Sequence, residues 1–110
     1  MKNLRFATIL FLLTILASSV TVAQKVFAIT IDGSINPASA EYIHNSIQRT
    51  SELDGECLII RLNTPGGLLK STRVMVSDIL ESKIPIVVYV SPAGAQSASA
   101  GVFITLAAHI

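Results

Sequence analysis

A chain of 110 residues holds one domain at most, and a net charge of +1 with scattered Lys and Arg leaves neither a basic stripe for nucleic acid nor an acidic tract. Hydrophobic residues make up 51% but aromatics only 5%, so the apolar content is small and aliphatic, which suits strands covered by helices. The single cysteine excludes an intrachain disulfide, and one Cys with two widely separated His gives no metal-ligand spacing, so neither metal nor cofactor is expected.

The first two dozen residues read as an export signal. Lys2 and Arg5 give a positive start, residues 6–16 an apolar core, and Thr21-Val-Ala23 the small residues before a cut after Ala23. The apolar run is short of the ~20 residues a membrane span needs. An uncleaved anchor is the alternative, and the mass of the mature N terminus decides between them. Residues 1–23 are thus set apart from a folded part over residues 24–110.

Residues 26–31, Val-Phe-Ala-Ile-Thr-Ile, predict a strand that Asp32-Gly33 ends. Asn36 can cap a helix and Pro37 suits its first position. Ala40, Ile43, His44 and Ile47 fall on one face at helical spacing, and Asp54-Gly55 ends the segment. Residues 57–62 form a nearly continuous apolar run, expected of a strand buried on both faces of a parallel sheet. Cys57 heads that run and reads as a buried structural thiol. The turn 63–67, Asn-Thr-Pro-Gly-Gly, follows, and Leu68, Thr72, Met75, Val76, Ile79 and Leu80 mark the next helix. A third strand is expected over residues 84–90, with Pro85 at its start. The small-residue run 94–101, Gly-Ala-Gln-Ser-Ala-Ser-Ala-Gly, then opens an apolar helix. This β-α-β-α-β-α order makes parallel pairing with right-handed crossovers the default. The last residues, Ala107-Ala-His-Ile110, lie in an apolar segment with no cap or turn signal, as in the front part of a longer protein.

Two strand–turn–helix units therefore carry the chemistry. A helix N-terminus leaves backbone N–H groups unpaired and favours negative charge. A serine there needs a base and donors for the oxyanion it creates. The Ala100 N–H follows Ser99 directly and the Gly67 N–H lies on the other turn. Both turns fall at the carboxyl ends of strands, where sites gather. Small residues are also simply common in loops. Ser97 competes with Ser99 but can equally cap the helix; Ala100 and Gly101 after Ser99 leave its amide side open.

A base is missing. His109, ten residues past Ser99 on the same expected helix, lies about 15 Å along the axis. His44 reads as partly buried with a backbone partner, and Lys70 and Lys83 as solvated surface charges. Lys70-Ser71 after the glycines suggests a phosphate loop, but Leu69 stands where such a loop needs Gly.

The motifs Arg61-Leu-Asn-Thr-Pro-Gly-Gly67, Ile84-Pro-Ile-Val-Val-Tyr-Val90 and Gly94-Ala-Gln-Ser-Ala-Ser-Ala-Gly101 together resemble the Clp-protease/signal-peptide-peptidase class of serine peptidases. They are most similar to the N-terminal domain of NfeD-type membrane-bound proteases, the stomatin-operon partners. The resemblance runs from about Val26 to the last residue. It implies an α/β ClpP/crotonase-like fold of repeated β-α units with a largely parallel sheet, incomplete at the C-terminus. It implies Ser99 as nucleophile, Gly67 and Ala100 as oxyanion donors, and Gly66 and Leu68 beside an extended substrate peptide. It implies a Ser–Lys dyad whose lysine lies on a later segment, so this chain alone should be inactive. The implied partner is an apolar peptide segment of a stomatin-like protein, the implied place the extracytoplasmic side of the membrane, and the implied state a homo-oligomer. The membrane-spanning segments and small C-terminal β-barrel of such proteases find no counterpart here. Two other functions fit the same fold. One is a non-catalytic scaffolding module; the other, disfavoured by export, is a crotonase-type acyl-thioester enzyme.

Overall fold

The computed structural model describes residues 1–16 and 22–110. Helix α1, Lys2–Leu16, carries the apolar core of the expected export signal. Thr21 of the expected cleavage site lies outside the described residues. Among the described residues no helix is long and apolar enough to cross a membrane.

The folded part runs β1 (Val26–Asp32), α2 (Pro37–Glu52), β2 (Cys57–Asn63), α3 (Leu69–Glu81), β3 (Ile86–Val90) and α4 (Ala100–Ala107). The three strands form one parallel sheet in the order β1-β2-β3, in register from Val26 opposite Cys57 and from Leu58 opposite Ile86. Helix α2 starts as its sequence requires: Asn36 Oδ1 accepts the Ser39 N–H, the Ser39 hydroxyl accepts the Asn36 N–H, and Pro37 follows. It ends at Leu53, and Asp54 takes a left-handed turn with φ 55°.

Helix α2 packs on α3 and α3 on α4. Ile31, Leu58, Ile60, Leu62 and Ile86 meet Ile43, Met75, Ile79 and Ile104 in the core. The expectation of a strand buried on both faces is corrected. In β2 burial alternates: Leu58, Ile60 and Leu62 are buried, Cys57 and Ile59 half-buried, and Arg61 exposed. Successive side chains point to opposite faces, and within this chain the helices cover one of them. Cys57 is accordingly a half-buried thiol on the less covered face, not a core residue.

Three further expectations shift. The third strand begins at Ile86, two residues late, and Pro85 contributes only a carbonyl, which accepts the Leu58 N–H at 3.0 Å. In α3 the buried face is Ser71, Thr72, Met75 and Ile79, while Leu68 precedes the helix and Leu80 is 64% exposed. Leu80 belongs to a second stripe with Leu69 and Val76, which lines an apolar groove shared with Phe103 and Leu106 of α4. The final residues do not prolong α4. Ile110 accepts the Val88 N–H and His109 N–H donates to Ile86, so the tail lies along the β3 edge.

Candidate active site

The two bends adjoin. Beyond β2 the chain keeps pairing on both sides. Thr64 N–H donates to Gln96 at 2.7 Å and its carbonyl accepts the Ala98 N–H at 3.0 Å. Gly66 carbonyl accepts the Ile35 N–H at 2.8 Å, and Leu68 N–H donates to the Ile35 carbonyl at 2.9 Å. Asn63 ties the same bends together through its side chain: Nδ2 donates to Asp32 Oδ1 at 2.9 Å, and Oδ1 accepts the Gln96 N–H at 3.1 Å.

Ser99 caps α4 with φ 52° and ψ −110°, and its residue is exposed. An L-residue seldom takes that conformation, and where one does, the surrounding structure must impose it. Its hydroxyl makes no capping bond to α4. A methyl at Gly66 would stand 2.7 Å from Ser99 Cβ and 3.1 Å from Ser99 Oγ, so only glycine lets the serine sit there. Gly66 itself has φ +120°.

Among the described residues the Gly67 and Ala100 amides donate to no protein acceptor. Ala100 is the first helical residue, where N–H groups have no partner within the helix. In the pairing with Ile35, Gly66 C=O and Leu68 N–H face Ile35, so the Gly67 N–H faces the other way. The site thus offers a free hydroxyl beside two free amides.

The main-chain groups of Gly66 and Leu68 are engaged within the chain. Both main-chain groups of Leu68 are taken: its N–H by Ile35 and its carbonyl by the Thr72 N–H and hydroxyl. Those of Gly66 are taken too, by Ile35 and Thr64. Neither can pair with a peptide through its backbone. The Leu68 side chain is 57% exposed.

The other titratable candidates are engaged elsewhere. His109 lies beyond α4, and its Nδ1 accepts the Ile86 N–H at 3.0 Å. His44 is corrected from a backbone-bonded residue: it is 47% exposed, with Asp78 Oδ2 at 3.2 Å and Gln48 Nε2 at 3.0 Å. The Ser97 hydroxyl, which precedes α4, pairs with Thr105 Oγ1 of that helix at 2.8 Å. Among the described residues no group of three or more His, Cys, Asp or Glu could hold a metal.

Residues 25–110 match the family described as NfeD1b, N-terminal domain. The chain belongs to this family. It is 36% identical over 98 residues to the membrane-bound protease PH1510 of Pyrococcus horikoshii, covering 89% of this chain and 22% of that protein. It is 35% identical over 88 residues to the membrane protein NfeD1b of Bacillus subtilis, covering 79% of this chain and 20% of that protein. Among solved structures it is similar to a lysine-to-alanine mutant of 1510-N, a membrane-bound stomatin-specific protease, in complex with a substrate peptide. There the TM-score is 0.76 at 36% identity, over 80% of this chain and 41% of that one. ClpP1 of Listeria monocytogenes gives a TM-score of 0.63 at 26% identity, over 74% of this chain and 46% of that one. The chain therefore has a ClpP-like α/β fold and spans about a fifth of the length of those curated relatives.

Proposed function

We propose that this chain is the nucleophile-bearing part of a membrane-associated serine endopeptidase that cleaves apolar peptide segments. Ser99 is the nucleophile. The Gly67 and Ala100 amides receive the oxyanion of the tetrahedral intermediate, where preorganised donors act most strongly. The reading rests on one observation: a strained, exposed serine against Gly66 with both free amides beside it. The base is a lysine beyond residue 110, as the resemblance to Ser–Lys peptidases implies. The substrate-bound lysine-to-alanine mutant of 1510-N supports that choice. The isolated chain is inactive for the same reason. An extended substrate pairs with the free Gly67 amide and packs on Leu68.

The partner is a stomatin-like membrane protein, by analogy with the stomatin-specific relative, and the active form is a homo-oligomer. Residues 1–23 export the domain to the extracytoplasmic side, and the mass of the mature N terminus tests their removal.

In the full-length protein Ser99→Ala should abolish peptide cleavage, a loss on the order of 10^6-fold for nucleophiles of this kind. Ser97→Ala should cleave normally, since it loses only its bond to Thr105. Normal cleavage by Ser99→Ala removes the peptidase reading through Ser99. The second reading is a scaffolding module that keeps the fold without the chemistry. That reading gains if the full-length protein leaves every peptide uncut while still binding a stomatin-like partner.

A further inference from the structure

Thr64 touches both bends at once. Its side chain is fully buried. Its hydroxyl accepts the Gly66 N–H at 3.1 Å and donates to the Gly66 carbonyl at 3.2 Å. Its methyl packs on the other bend: a methyl at Gly101 would stand 2.8 Å from Thr64 Cγ2. Its main chain is bonded to Gln96 and Ala98, just before the serine.

The Gly66 carbonyl and the Gly67 N–H belong to one planar peptide unit and point in opposite directions. Whatever holds that carbonyl aims that amide. Ile35 N–H holds it from one side and the Thr64 hydroxyl from within the turn. Glycines on both sides of the peptide leave it little resistance to rotation of its own. Valine would fill the same volume without a polar group to bury, so a hydroxyl at this dry position needs the bonds it makes.

We infer that Thr64 is a positioning residue of the active site: its hydroxyl fixes the Gly66–Gly67 peptide and so aims the Gly67 amide at the oxygen beside Ser99. This inference rests on the peptidase reading above. Thr64 touches no substrate; it acts through the peptide it holds.

The test is steady-state cleavage of an apolar peptide by the full-length protein and its Thr64→Val, Thr64→Ser, Thr64→Ala and Ser99→Ala forms, each checked for folding by thermal melting. Thr64→Val should lower kcat about ten- to a hundredfold, the scale of a misaimed donor, and leave KM within about twofold. Thr64→Ser, which keeps the hydroxyl, should stay within about threefold of the parent kcat. If Thr64→Val does not fold, the Ser and Ala forms differ by the hydroxyl alone, and the same kcat gap should separate them. A parent-like kcat in Thr64→Val overturns the inference, as does a loss confined to KM. Equal losses in the Ser and Ala forms overturn it as well. Cleavage by Ser99→Ala instead brings down the peptidase reading itself, a distinct result because it needs no Thr64 variant.

Discussion

Gly66 and Gly67 stand side by side and are irreplaceable for different reasons. At Gly66 a side chain meets Ser99, 2.7 Å from its Cβ, in a backbone region L-residues avoid. At Gly67 it meets the main chain of Ile35, which pairs with Gly66 and Leu68 and cannot step back. Gly66→Ala should therefore remove cleavage chiefly by displacing the serine. Gly67→Ala should unfold the domain more readily, by about 3 kcal/mol or more, as overpacking against fixed atoms does. Gly94, with φ +86° and nothing within 4 Å of an added methyl, is the control: Gly94→Ala should cost only backbone strain, about 1–2 kcal/mol. Urea unfolding of the three variants orders them. An equal cost at Gly67 and Gly94 would show that the Ile35 contact yields. The glycine pair could be picked out from the sequence, because small residues after a strand imply a close approach. The division of labour between them could not, since it depends on which neighbour each one faces.

Elements were legible where local chemistry decides them. Asn36-Pro37 announces α2, and the structure adds the reciprocal Ser39 bond, which makes a full capping box. Asn36→Ala should cost about 1 kcal/mol, typical of an N-cap loss. In a domain of this size that lowers the melting temperature by roughly 4–8 °C. Asn36→Ser should recover most of it, because serine can accept the same N–H; no difference between Ala and Ser would show that Pro37 alone sets the start. The sequence pattern misleads where tertiary partners decide an element. Leu68 and Leu80 fit the helical period of α3 yet lie outside its buried face. A 3.6-residue period cannot tell a stripe facing a sheet from one facing a neighbouring helix. Thr64 was hidden for the same reason. Its residue type suggests a turn, and only the approach of the segment running to Gly101 puts its methyl on the second bend.

For the molecule, the consequence of adding strands in sequence order is that the helices gather on one face. The apolar run 57–62 invited a sheet buried on both sides; the structure has Leu58, Ile60 and Leu62 inward, and Cys57, Ile59 and Arg61 on the other face. A continuous run is the correct signature of two apolar faces, but it does not say what covers the second. Within this chain Arg61 lies opposite Thr30 and Tyr89, both exposed. That face can be read chemically, because it carries the chain's single thiol. If the isolated chain keeps the sheet as described, Cys57 should react with a small thiol reagent without denaturant, at a rate set by direct access. A buried thiol reacts only through unfolding, which for a domain stable by 5 kcal/mol slows it by roughly 10^3–10^4-fold. Thiol-labelling kinetics across a urea series separate the two. A rate that tracks the unfolding curve from zero urea would place Cys57 in a closed interior and contradict the one-sided packing; a rate flat until the unfolding transition is what the half-buried thiol requires.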